Sequence, residues 1–191
     1  MNNKESSALS ARTEESIMLI MNTKILKRLR GRHHIYAYEV EAAGPGVSYF
    51  PLEALLPASD VLVLDTGLGI LSYLSQEQNS PLLLSQAQFS PKELTVIQPL
   101  LEWYPRFCPD EVMWASFNRG RATPDLVNSA RERLREAKRA GIWDYEMRPL
   151  RNILSRARFK LRELRLDVRS ILETGYLLIS FSTPKPLLEG V

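Results

Sequence analysis

Residues Pro149–Leu164 read PLRNILSRARFKLREL, and the spacing of their apolar positions decides how the rest of the chain is read. Leu150, Ile153, Leu154, Ala157, Leu161 and Leu164 recur at three- and four-residue intervals, so a helix over this stretch buries them along one side. Arg151, Ser155, Arg156, Arg158, Lys160 and Arg162 occupy the remainder, giving one apolar stripe with a basic exterior. Directly downstream, Val168–Phe181 reads as two β-strands about Glu173-Thr174-Gly175, a hairpin following a basic helix.

Upstream, Ser90-Pro91-Lys92-Glu93 is a capping box: the serine hydroxyl takes an orphan amide while the glutamate reaches back to the cap. Leu94, Ile97, Leu100 and Leu101 follow at helical spacing, and Pro105 ends the helix. Cys108-Pro109-Asp110-Glu111 starts a second, with Val112, Met113 and Phe117 as its apolar face. Two short helices joined by a tight turn begin a helix-turn-helix. Asn118-Arg119-Gly120-Arg121 breaks the second helix, and Thr123-Pro124-Asp125 caps another running to Gly141, with Leu126, Val127, Ala130, Leu134 and Ala137 inward. Trp143–Arg148 is expected to connect it to the basic helix. Within that connection Trp143 and Tyr145 would anchor the additional helix on the core, and Asp144 and Glu146 would pair with Arg148 and Arg151.

The first half of the chain has a different period. After Ile17–Leu29, a short amphipathic helix, His34–Glu41 (HIYAYEVE) alternates, and Ala43-Gly44-Pro45-Gly46 turns the chain into VSYF. Val61–Asp65, Leu68–Ser75 and Pro81–Gln86 are further strands, and a small antiparallel sheet collects them. The class is therefore α+β.

Composition bounds what such a fold does. The chain has 191 residues, 45% hydrophobic and 25% charged, as in ordinary globular proteins. No apolar run approaches the roughly 18 residues of a membrane span. Met1–Ser16 lacks the basic start and apolar core of a secretory signal and reads as a flexible leader. Together with a single cysteine, Cys108, that points to a cytoplasmic address and excludes an internal disulfide. Cys108 is assigned to packing. The net charge of +3 is unevenly spread. Residues 1–117 carry 9 Lys/Arg against 13 Asp/Glu, residues 118–170 carry 15 against 7, and residues 171–191 carry 1 against 2. Such a basic segment is either a solvated face with interleaved glutamates or a surface for an anion, and arginine suits phosphates and guanine edges.

The order of sheet, capped helix, turn, helix, basic helix and hairpin resembles the C-terminal effector domain of OmpR/PhoB-type transcriptional regulators. Phe89-Ser90-Pro91-Lys92-Glu93-Leu94 resembles the family's first-helix cap, and Phe117 stands where an aromatic closes the second helix. Leu154-Ser155-Arg156-Ala157-Arg158-Phe159-Lys160-Leu161 resembles the family's recognition helix without a gap, and Gly175-Tyr176-Leu177-Leu178 resembles the end of its wing. The likeness covers roughly residues 66–182. It departs in the helix inserted before the recognition helix, in a wing tip carrying Leu172 and Glu173 in place of arginine-glycine, and in an N-terminal part too short for a receiver domain. Asp60–Gly69 (DVLVLDTGLG) superficially matches a receiver's phosphoacceptor strand. Asp65 is nonetheless rejected as an acceptor, because no upstream acidic pair holds a metal and a doubly wound sheet has no room.

The resemblance implies a winged helix-turn-helix with an N-terminal antiparallel sheet and an inserted helix. The expected layout is a leader (1–16), an N-terminal helix and small β region (17–65), the winged domain (66–182, insertion near 118–147) and a tail (183–191). It further implies a transcriptional regulator that binds double-stranded DNA as a homodimer or beside a protein partner such as the transcription machinery. Arg151, Ser155, Arg158 and Arg162, at spacings of four, three and four, are the expected base-reading face. Arg156, Lys160, Arg165 and Arg169 are expected to add phosphate contacts. The rival reading is an interaction module, in which the same fold is a scaffold and the inserted helix and acidic N-terminal part dock on another protein. No glycine-rich phosphate loop, zincin helix, nucleophile elbow or Cys/His cluster is present, so no enzyme, cofactor or metal is expected; the adjacent His33 and His34 are read as structural or solvated.

Overall fold

The computed structural model describes residues 46–75 and 81–181. The leader, the Ile17–Leu29 helix, His33, His34, the HIYAYEVE strand and the 183–191 tail lie outside the described residues.

Alternation builds the first sheet. β1 (Val47–Phe50), β2 (Asp60–Asp65), β3 (Ile70–Ser75) and β4 (Leu82–Gln88) are antiparallel neighbours in that order. Leu62 and Leu64 of β2 stand opposite Tyr73 and Leu71 of β3, and all four are buried. Asp65 closes the β2–β3 turn, its Oδ1 accepting from the Leu68 amide at 2.9 Å. A strand in an antiparallel hairpin is not the parallel strand of a doubly wound sheet, and β2 and β3 form one sheet across residue 65.

α1 (Pro91–Trp103) starts at the capping box: Ser90 Oγ accepts from the Glu93 amide at 3.3 Å, and Glu93 Oε2 accepts from the Ser90 amide at 2.8 Å. Val96, Ile97, Leu100 and Leu101 form its buried face. β5 (Cys108–Pro109) leads into α2 (Asp110–Arg119), which Gly120 ends in the left-handed region at φ 75°. α3 (Pro124–Arg139) buries Ala130, Leu134 and Ala137, while Leu126 and Val127 are only half-buried. Thr123 holds the N-cap position of α3, but its side chain makes no capping bond.

α4 (Trp143–Glu163) is six residues longer at its start than the spacing of PLRNILSRARFKLREL predicts, and Trp143–Arg148 is helix rather than connection. Proline removes the amide that would bond the carbonyl four residues back, here that of Tyr145. Both Pro149 and Tyr145 are exposed, so water can take that carbonyl and the helix runs through. Asp144 and Glu146 in the first turn face the positive end of its dipole.

β6 (Leu166–Ile171) and β7 (Gly175–Ser180) form the hairpin, and β5 adds to β7, giving a second sheet in the order β5-β7-β6. Two residues carry no periodicity, so nothing in the sequence announces β5. The join depends on Gly175, where any Cβ would collide with the Cys108 carbonyl. One core unites the layers: Leu62, Leu71 and Phe89 from the sheet side pack with Ile97, Met113, Leu154, Leu161 and Leu178. Among the described residues the protein is α+β, with a four-stranded antiparallel sheet and four helices.

Candidate nucleic-acid interface

The geometry of α4 follows from its buried stripe. Met147, Leu150, Leu154, Ala157 and Leu161 are buried. At about 100° per residue, the direction farthest from that stripe is occupied by Tyr145, Arg148, Asn152, Phe159 and Glu163, with Ser155 and Arg156 at its edges, and all seven are exposed. Phe159 keeps 67% of its surface accessible near the C-terminal end of this row. Arg151, Arg158 and Arg162 lie to one side of it, as a flank between the outer row and the core.

That flank is bound to acids. Asp167, at the start of β6, accepts from Arg158 Nε at 2.7 Å and Arg158 Nη2 at 3.1 Å, and from Arg162 Nη2 at 3.1 Å and Nε at 3.3 Å. The Val168 amide gives Asp167 a fifth donor at 2.7 Å. Burial alone would raise this carboxyl; the bonds from Arg158, Val168 and Arg162 outweigh it and bring its pKa to about 2. The same bond to Asp167 lifts the Arg158 guanidinium above its ordinary value. Arg162 also stacks on Phe181, 5.0 Å from the ring centre. Arg151 donates to the Asp144 carboxylate at 2.7 Å and to its carbonyl at 3.0 Å, and lies 5.2 Å over the Trp143 ring.

Lys160 turns the other way, to Glu93 of the α1 capping box at 2.7 Å. Burial would raise the Glu93 carboxyl, but the hydrogen bonds from Lys160 and Ser90 hold it below its usual value. A single glutamate thus closes the α1 cap and fixes the last turn of α4.

The other expected contacts are placed differently. Ser155 and Arg156 stand on the outer row, Arg165 follows the helix with φ 59°, and Arg169 is exposed on β6. Arg148, Arg156, Arg165 and Arg169 make no ion pair among the described residues. The eight expected residues therefore divide into two groups: Arg151, Arg158, Lys160 and Arg162 are held by carboxylates, whereas Ser155, Arg156, Arg165 and Arg169 are open. The expected set omits Arg148, Asn152 and Phe159. Arg148 is hidden by a helix start placed at Pro149, and Phe159 by its apolar type.

The hairpin turn is fixed from the opposite side. Glu173 pairs with Lys138 of α3 at 3.3 Å, and Lys138 also donates to the Glu173 carbonyl at 3.1 Å. The Asp110 amide donates to the Thr174 carbonyl at 3.1 Å. Asp110 Oδ2 is buried without a hydrogen-bond partner. Burial, opposed by Lys138 and Arg151 and assisted by Glu111 and Glu173, raises its pKa to about 6. Of the expected surface pairs, Asp144–Arg151 forms, while Glu146 goes to Arg133 of α3 at 2.6 Å instead of Arg148. Trp143 is half-buried against the core, but Tyr145 is 70% exposed and anchors nothing. Cys108 is fully buried, and burial pushes its thiol well above the usual range.

Among the described residues no group of three or more His, Cys, Asp or Glu side chains is placed to hold a metal ion. None of the described helices is long and apolar enough to cross a membrane. Comparison with protein-family models, curated proteins and solved structures found no match for this chain.

Proposed function

We propose that the chain is a DNA-binding transcriptional regulator, a winged helix-turn-helix protein in which α4 enters the major groove and the β6–β7 hairpin is the wing. The observation that carries the reading is the outer row of α4. Arg148, Asn152, Ser155 and Arg156 are exposed and without acidic partners among the described residues, on the face away from the core and directly before a hairpin with Arg165 at its base and Arg169 exposed along β6. Arginine and asparagine give the bidentate contacts that distinguish guanine and adenine in the major groove. Arg165 and Arg169 serve as phosphate contacts that set the register of the helix.

Arg158 and Arg162 take a different role in this reading from the one their spacing suggests. Each would have to leave a multiply bonded carboxylate to reach a base, and charge-assisted fork contacts of that kind are among the stronger hydrogen bonds. They fix the junction between α4 and the wing and add positive potential around it. One such module has a small interface, so a homodimer or a second DNA-bound protein completes the affinity. The protein is read as a binding protein and not as an enzyme.

A second reading is favoured by one observation. Leu82, Leu83 and Leu84 are 59%, 39% and 43% exposed on β4, which among the described residues is an edge strand and carries no charged residue, as suits a surface for another protein. Mobility-shift titration against pooled genomic duplex fragments, from about 50 to 200 mM salt, separates the two. The regulator shifts the fragments at the lower salt concentration and releases them at the higher. No shift at any salt concentration leaves the interaction module.

A further inference from the structure

A phenylalanine ring stands on the exposed face of α4 among polar side chains. Phe159 lies opposite the buried stripe of α4 and keeps 67% of its surface exposed; its one recorded ring contact is a loose one, with the Arg162 guanidinium 6.0 Å from its centre. A scattered exposed hydrophobe is ordinary on a protein surface. The neighbours of this one are polar rather than those of an apolar docking patch: Asn152, Ser155 and Arg156 precede it on the same face and Glu163 follows one turn later, all exposed. A protein-docking anchor is expected to be ringed by apolar contacts that shed water. A ring that continues a row of exposed hydrogen-bond donors matches the edge of a base pair in the major groove, where thymine alone presents a methyl group beside its acceptor.

We propose that Phe159 is a specificity-determining residue that reads thymine, its ring packing on the 5-methyl group of one thymine while Asn152, Ser155 and Arg156 hydrogen-bond to neighbouring bases or phosphates. This rests on the DNA reading of α4 and adds to it one base and the atom by which it is recognised. At about 100° and 1.5 Å per residue, the ring lies at an angle between Asn152 and Ser155 but about 6 Å beyond Ser155 along the axis, so the contacted base pair lies just past the stretch those two residues span.

The test removes the methyl group and nothing else. Duplexes are selected from a random pool by the full chain, and each thymine of the selected site is replaced in turn by deoxyuridine. For the unsubstituted protein, one position is expected to lose about fourfold in affinity, the worth of a single apolar carbon withdrawn from water. Phe159→Ala is expected to lose a similar factor on the thymine duplex and to bind thymine and deoxyuridine duplexes equally. The exposed position leaves the fold intact, which matching thermal melts verify. Uniform indifference of the unsubstituted protein to deoxyuridine, or an undiminished methyl preference in Phe159→Ala, overturns the assignment of Phe159 and leaves DNA binding standing. Failure of the unsubstituted protein to select any duplex overturns both.

Discussion

Replacing Asp167 by Asn is expected to lower stability and raise nonspecific DNA affinity together, two effects of opposite sign from one carboxylate. The folded pKa of about 2 lies below the ordinary 3.8. The difference corresponds to roughly 2.4 kcal/mol at 1.36 kcal/mol per unit. Arg158 and Arg162 are 39% and 36% exposed, so solvent screening reduces this to about 1–2 kcal/mol. For a carboxyl whose pKa is depressed by folding, that stability is complete above pH 3.8 and disappears as pH falls toward 2. Urea melts of the original protein and Asp167→Asn should therefore differ by about 1–2 kcal/mol at pH 7, narrow below pH 3.8 and converge only as pH falls to about 2, provided both remain folded enough to give a baseline. In DNA titrations Asp167→Asn frees two guanidinium groups and removes a negative charge beside the helix, so binding to random duplex should tighten and become more salt-dependent. Equal stability at pH 7, or a gap independent of pH, would refute the clamp; an unchanged or weaker affinity for random DNA would refute its placement at the interface.

Three further substitutions probe the frame around α4. Ser90→Ala should lower stability by about 1 kcal/mol through loss of the α1 cap, read as a lower melting temperature; an unchanged midpoint would show that the capping box contributes nothing. Asp110 is the reverse of Asp167: its pKa is raised to about 6, so its ionisation opposes folding, and stability contributed by the neutral form is lost as pH rises from about 3.8 to 6. Asp110→Asn should remove that component of the pH dependence and gain relative stability above pH 6, and urea melts in which the two proteins follow parallel pH curves would contradict it. Gly175→Ala should separate β5 from β7, since its Cβ has no room against Cys108, with the loss visible as exchange of the Tyr176 amide; retained protection would refute the close approach.

The legible parts of the fold were those with local signals. A capping box lies within four residues, Gly120 stops α2 where a left-handed residue is needed, and the stripe of α4 states its own period. Local signals also mislead: Pro149 suggests a helix start, but α4 begins at Trp143, runs through the exposed Pro149 and brings Arg148 onto its outer row. β5 forms because a strand distant in sequence, β7, offers it hydrogen bonds, and a two-residue strand leaves no pattern. The interface shows the same division. Spacing placed Arg151, Arg158 and Arg162 on one side of a helix correctly, yet whether an arginine is open depends on acids elsewhere. Glu93 reaches Lys160 from 67 residues away, and Asp167 occupies Arg158 and Arg162 only because the chain reverses after Leu164. Arg156, Arg165 and Arg169 remain open because no described acid folds back to them.

The slope of log binding constant against log salt on a random duplex tests the DNA-binding account most directly. Four open arginines, Arg148, Arg156, Arg165 and Arg169, predict a slope of about −3 to −4. The Arg148→Ala/Arg156→Ala double variant should flatten it by about two units, while Arg131→Ala, which removes a guanidinium already paired with Glu111 at 3.1 Å, should leave it nearly unchanged. No measurable binding near 50 mM salt, or an equal change of slope in the double variant and in Arg131→Ala, would contradict the placement of DNA on the outer row of α4.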